Sequence, residues 1–298
     1  MANSIASDLQ VQAILENALL AFKRTLAPVN AFSTVYRGVP LQGNDTVTVP
    51  YYPIQGTSSS DFNGSYSAAA GTVQSRNVVI NKRKYQALNV TGYELARQPH
   101  LSVEKLMDRQ AEALAHDVVM DILSVVTEAN FGSAVSTGAP SAFDFTDIAD
   151  IVTSINQSYW PVANRSLVLS STYHGALLKD SSIANWNAMG QADADVKLKG
   201  ALTHIAGMDV FVTPNIPSNT ENLVGFATLP DAALVAFAPI APADDRITRY
   251  VTATDDNGLT LEYREYPIPG SDTVQMVIEA NYGYGKGEGA ALKRIVSA

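Results

Sequence analysis

TVTVPYYPIQGTSSSDFNGSYSAAAGTVQSRNVVINKRKYQALNV, residues 46–90, runs shortly into SVEKLMDRQAEALAHDVVMDILSVVTEANFG, residues 102–132. The first stretch reads as two extended segments around a small, polar, glycine-rich tip at 56–72. Residues 46–54 carry β-formers with two prolines, which suit an edge or an open arm. Residues 73–93 return with Val78, Ile80, Leu88 and Val90, interrupted by Lys82, Arg83 and Lys84. The second stretch reads as the strongest helix in the chain. Ser102 is placed to cap it after Pro99, and Glu104 suits its first turn. Its apolar face is Val103, Leu106, Met107, Leu114, Val118, Ile122, Val125 and Val126, with Phe131-Gly132 as the stop. About 28 residues predict a rod of roughly 42 Å.

Outward from this pair, residues 8–24 predict an amphipathic helix through Val11, Ile14, Leu15, Ala18, Leu19 and Phe22, ended by Pro28. Residues 29–43 read as irregular. After a small-residue linker at 133–142 the pattern shortens into alternating elements: a helix over 144–158, a strand at 165–170, a helix at 171–180 and a polar loop at 181–200. A strand at 207–213, another at 223–228 and a short helix at 230–237 complete a compact α/β unit. The tail is β, with strands at 247–254 and 259–266 around Asp255-Asp256-Asn257-Gly258, a favoured tight-turn sequence. Strands at 273–282 and 290–296 follow.

The chain has 298 residues, 46% hydrophobic and only 16% charged, so wholesale disorder is excluded and some uncharged surface is expected to lie in contacts. A formal net charge of −9 argues against a protein built to grip nucleic acid. There is no cysteine, which rules out disulfides, thiolate zinc sites and cysteine nucleophiles. No apolar run reaches the about 18 residues of a membrane span, and the first residues show no signal-peptide pattern.

Few motifs invite chemistry. Gly285-Lys286-Gly287-Glu288-Gly289-Ala290 matches G-x-G-x-x-A, yet too few residues follow for a βαβ unit, so a glycine-rich bend between strands is the better reading. His174 with Asp180 and His204 with Asp209 are conceivable acid–base pairs, set against the reading of packed or exposed bystanders. Asp193 with Asp195 and Asp244 with Asp245 lack the spacing of a calcium loop and read as solvated acids. No catalytic residue, cofactor or metal ligand is therefore assigned. Lys82, Arg83 and Lys84, the densest basic cluster, are the candidate site: they are expected to meet acidic groups of a neighbouring subunit, against the alternatives of DNA phosphates or a strand edge charged against aggregation.

A two-stranded hairpin alone in water is marginal. Residues 46–93 are too β-rich for a linker and too poor in apolar surface to bury themselves, so the arm is expected to lie on another copy of the chain. In element order, and in the closing ANYGYGKGEGAALKRIV (280–296), the chain resembles the major capsid proteins of tailed bacteriophages. The resemblance implies an α+β chain with the Hong Kong 97-type fold: an N-terminal arm at 1–40, an extended β-loop at 41–98, a peripheral domain with a long spine helix at 99–143 and about 246–284, and an α/β axial domain at 144–245 and about 285–298. It further implies a non-enzymatic homo-oligomeric shell of pentamers and hexamers. That shell would enclose double-stranded DNA without sequence-specific binding, and would be assembled in the host cytoplasm with a portal. The N-terminal helix begins within ten residues of Met1, so no fused scaffolding segment is expected: the scaffold is expected as a separate protein, the alternative being that the chain is a cleaved product with an added Met. The alternatives are an encapsulin-type nanocompartment and a soluble α/β enzyme or ligand-binding protein.

Overall fold

The computed structural model describes residues 4–36, 45–51, 53–54, 61–65, 73–97, 103–180, 183, 202–214, 216–240, 247–255 and 258–298. The expected 181–200 loop and the Asp193–Asp195 and Asp244–Asp245 pairs lie almost wholly outside them, as do Ser102 and most of the 56–72 tip.

In chain order the elements are α1 (Ser4–Thr25), β1 (Ser33–Tyr36), β2 (Thr46–Tyr51), β3 (Gln74–Val79), β4 (Lys82–Thr91), α2 (Gly92–Arg97), α3 (Val103–Leu123), α4 (Glu128–Phe131), β5 (Ser136–Thr137) and α5 (Phe145–Gln157). They continue with β6 (Ser166–Ser170), α6 (Ser171–Lys179), β7 (His204–Ile205), β8 (Met208–Thr213), β9 (Leu223–Thr228), β10 (Ala233–Phe237), β11 (Arg249–Thr254), β12 (Thr260–Pro267), β13 (Thr273–Lys286) and β14 (Leu292–Val296).

These strands build two six-stranded sheets and a separate hairpin. The first sheet has the order β1-β10-β13-β12-β11, with β4 on the other edge of β13. The second has the order β5-β14-β9-β6-β8-β7, and β2 pairs with β3 alone. Successive strand residues point to opposite faces. In the first sheet one face presents Leu261, Tyr263, Ile278, Ala280 and Tyr282, which are buried in one core with Leu15, Ala18 and Phe22 of α1 and Leu114, Val118 and Ile122 of α3. The second sheet is centred on β6, whose Leu167, Val168 and Leu169 are fully buried. Helix α5 starts in a capping box: Asp144 accepts from Thr146 and Asp147 N–H, and the Asp147 carboxylate accepts from Asp144 N–H.

Four expectations are corrected. The stretch 29–43 contains β1, which pairs in parallel with β10, Ser33 opposite Leu234. The helix expected at 230–237 is a short 3-10 turn followed by strand β10. An all-apolar run has no polar face to reveal its period, and here both sides are buried. Ala233, Val235 and Phe237 enter the main core, whereas Leu234, Ala236 and Ala238 form a second one.

The third correction concerns the arm. Its returning half is divided: β4 pairs along all ten residues with β13, from Lys82 opposite Tyr282 to Thr91 opposite Thr273. The described part of the hairpin also rests on its own chain, because Val49, Tyr51, Val78 and Ile80 pack on Leu234, Ala236 and Ala238. The apolar residues counted as too few to bury one another find their partners on β10.

The fourth is the length of the long helix. It ends at Leu123 after 21 residues, about 32 Å. Residues 124–127 turn away before the separate α4, and a loop from far along the chain enforces the break. Asn219 Nδ2 donates to Leu123 O (3.2 Å) and Val126 O (2.6 Å), and the Glu221 carboxylate accepts from Glu128 N–H (2.9 and 3.0 Å). One loop thus caps the end of α3 and the start of α4. Asn219 has φ +50°, a conformation asparagine tolerates better than alanine. Asn219→Ala is expected to cost about 2 kcal/mol, from uncapped carbonyls and backbone strain together. Asn219→Gly keeps the backbone and loses the cap only, so it should fall between. Urea midpoints of the two variants measure this, and equal midpoints for all three proteins would refute the cap.

Candidate assembly surface at the root of the hairpin

The three basic residues stand at the first positions of β4, directly after the hairpin, and strand alternation sends them to two faces. Lys82 and Lys84 point to α3: Lys84 Nζ lies 2.8 Å from Asp117, and Lys82 Nζ lies 3.9 Å from Asp121. Asp121 also accepts from the hydroxyls of Tyr282 (2.8 Å) and Tyr284 (3.3 Å), fastening α3 to β13. Arg83 points to the opposite face, where its Nη2 lies 2.7 Å from Glu279. The acidic groups expected for this trio are thus found within the chain. The side chains of Lys82 and Arg83 still keep 43% and 50% of their exposure.

Arg83 leads into a buried ionic cluster. Glu262 on β12 and Glu279 on β13 stand directly opposite each other, both almost fully buried. Arg264, also buried, sets its Nη2 2.9 Å from Glu262 and 2.7 Å from Glu279. Glu262 further accepts from Asn281 Nδ2 (2.6 Å), the Ile240 N–H (2.9 Å) and the Tyr250 hydroxyl (3.0 Å). Burial raises the Glu262 carboxyl above its ordinary pKa, and the Ile240 N–H, Arg264 and Asn281 pull in the opposite direction. Burial beside Glu262 likewise pushes the Tyr250 hydroxyl up. Two carboxylates and two guanidiniums cancel, which is the condition for burying charge.

Sequence reasoning missed this cluster. Its signal lies in LEYREY (261–266) and EAN (279–281), where Glu262 and Arg264, and Glu279 and Asn281, put charged or polar side chains at alternate positions of two strands. Alternation places them on one face, yet nothing local says that face is buried.

The other candidates stay apart from any constellation. His204 Nδ1 lies 3.1 Å from Asp209 across the β7–β8 hairpin, with both side chains exposed. His174 Nε2 is buried without a hydrogen-bond partner, and burial lowers its pKa. The Asp180 carboxylate accepts from the Phe145 N–H at the start of α5 (2.8 Å). The G-x-G-x-x-A stretch ends β13 with Gly285-Lys286 and makes the bend to β14 from Gly287 on, and Gly287 lets the Asp231 carbonyl approach where a Cβ would stand 2.1 Å from it. Among the described residues no group of acids and histidines is arranged to hold a metal ion, and no helix is long and apolar enough to cross a membrane.

No family model matches the chain, and no curated protein does. Solved structures match it over nearly its whole length. The capsid structure of the cyanophage P-SCSP1u aligns with 90% of this chain and 86% of its own, at a TM-score of 0.60 and 12% identity. The capsid of a native GTA particle aligns with 92% of this chain and 91% of its own, at a TM-score of 0.55 and 17% identity. A virus-like particle from Pyrococcus furiosus covers 94% and 96%, at a TM-score of 0.54 and 12% identity. The chain has the α+β fold of phage capsid proteins, the Hong Kong 97 type.

Proposed function

We propose that this chain is the major capsid protein of a tailed phage, a structural subunit rather than an enzyme. The observation that carries this reading is the likeness to capsid chains over about nine-tenths of both partners. On this reading α1 belongs to the N-terminal arm (1–40), the β2–β3 hairpin to the extended loop (41–98) and α3 is the spine. Strands β11, β12 and most of β13 of the first sheet belong to the peripheral domain (99–143 and about 246–284), and the second sheet belongs largely to the axial domain (144–245 and about 285–298). Copies would join as pentamers and hexamers around double-stranded DNA, held without sequence-specific contacts. Assembly would occur in the host cytoplasm, with a portal and a separate scaffolding protein. Neighbours would meet the hairpin's outer face and the exposed flanks of Lys82 and Arg83. The low charged fraction supports surface hidden in such contacts.

A second reading is favoured by the likeness to the Pyrococcus furiosus virus-like particle: a protein nanocompartment of the encapsulin type. Terminase and portal genes beside the coding sequence would favour the phage, and a cargo-enzyme gene the compartment.

Size-exclusion chromatography with light scattering, followed by negative-stain microscopy, tests both readings. Closed particles or capsomers are expected, and a stable monomer under every condition overturns both. Deleting residues 56–72 should leave the two-sheet core folded, by circular dichroism, while particle yield falls sharply. Particles of native yield and stability from that deletion would contradict the proposed role of the loop.

A further inference from the structure

The geometry points to Arg83 as the positioning residue that fixes the root of the β2–β3 hairpin, through a two-faced clamp formed by Lys82, Arg83 and Lys84. Only Ile80 and Asn81 separate the end of β3 from the start of β4. Whatever holds residues 82–84 therefore sets where the hairpin leaves the sheet. Lys82 and Lys84 reach down to Asp121 and Asp117, one turn apart on α3, and Arg83 reaches up to Glu279 on the far face. Three successive side chains thus grip a helix on one side and a buried carboxylate on the other, which opposes rotation of the strand about its own axis.

The three grips are unequal. The Lys84 and Lys82 pairs are partly exposed, one of them at 3.9 Å, and such pairs contribute little. Arg83 differs because its partner is almost fully buried and is bonded through both Nε (3.1 Å) and Nη2 (2.7 Å). It is also the fourth charge of the cluster. With Arg83 seated, Glu262 and Glu279 are matched by Arg264 and Arg83; with Arg83 withdrawn, two buried carboxylates face a single guanidinium. The cluster itself therefore disfavours unseating the hairpin root. Among the described residues, the other contacts of Glu262 come from the uncharged Asn281, Tyr250 and Ile240 backbone.

This inference rests on the proposed role of the hairpin in a shell, but its test is read on the unassembled full-length chain, so it fails or stands independently of particle formation. Hydrogen exchange is followed at the amides of 46–49, 51 and 74–79, with β6, β8 and β9 as internal reference. In Arg83→Gln the hairpin amides are expected to exchange at least about tenfold faster while the reference strands are unchanged. Arg83→Lys, which keeps the charge on a single-headed donor, should restore most of the protection. In the double variant Arg83→Gln with Glu279→Gln the cluster is neutral again, so the melting temperature should recover while the hairpin stays fast. Unchanged hairpin exchange in Arg83→Gln would overturn the assignment. So would native hairpin protection in the double variant, because only charge neutrality would then matter; that second comparison also decides the question if Arg83→Gln alone does not fold.

Discussion

Arg264→Met is expected to destabilise the subunit by about 3–5 kcal/mol, the range for stranding a buried charge. The substitution keeps much of the volume and removes the guanidinium that lies 2.9 Å from Glu262 and 2.7 Å from Glu279. Those carboxylates stand opposite each other in register and are almost fully buried. Arg83 would remain on the rim with Glu279 only, leaving Glu262 with neutral donors. Equilibrium urea unfolding of the unassembled chain, followed by tryptophan fluorescence, measures the loss. Whole domains are stable by only about 5–15 kcal/mol, so a loss of this size leaves a measurable unfolded fraction even without urea. The decisive comparison is therefore with Arg264→Met plus Glu262→Gln, in which Glu279 and Arg83 remain as a matched pair. This double variant should regain at least half of the loss, because an uncharged amide costs far less to bury than a carboxylate. A single variant of native midpoint, or a double variant worse than the single, would show that the cluster is not held by charge pairing.

Gly283→Ala is expected to lift the hairpin off the sheet. A Cβ at residue 283 would lie 2.2 Å from Val79 O and 3.0 Å from Ile80 Cα, both backbone atoms at the end of β3. No rotamer change relieves a clash with backbone, so β3 must move and the packing of Val78 and Ile80 on Leu234 and Ala236 must open. Overpacking of this kind costs about 1–3 kcal/mol, and here it falls on a seven-residue core rather than on the main one. The control is Gly285→Ala, two residues along the same strand, where the nearest atom to the new Cβ is Val78 Cγ2 at 4.0 Å. That variant should be close to native. Urea unfolding together with proteolysis in the 52–72 region reads both effects: early cleavage is expected for Gly283→Ala alone. Equal behaviour of the two alanines would mean that the close approach of β3 to β13 does not hold the hairpin.

Much of the architecture was legible in local pattern. Helices α1, α5 and α6 and strands β2, β6, β8, β9, β11, β12, β13 and β14 follow from periodicity, capping and turn residues, because each depends on side chains within a few positions of one another. The candidate site was legible only as a basic cluster. Lys82, Arg83 and Lys84 stood out by charge density, but the identity of their acidic partners depended on which strand β4 would join. That strand, β13, lies far down the chain, and its Glu279 had no local reason to be singled out.

What the sequence determined by itself was therefore the kind of most elements and their order, from which the shell-type architecture could be anticipated. Only the tertiary structure decided where α3 stops, because Asn219 and Glu221 supply its end and the next helix's start from more than 90 residues away. It decided also that residues 233–237 form a strand, since a run with no polar face takes the conformation its two neighbouring cores require. And it decided that the β2–β3 hairpin is docked at its root on its own chain. Propensity acts between adjacent residues, whereas burial and the pairing of backbone and charge are satisfied only by whatever the fold brings near.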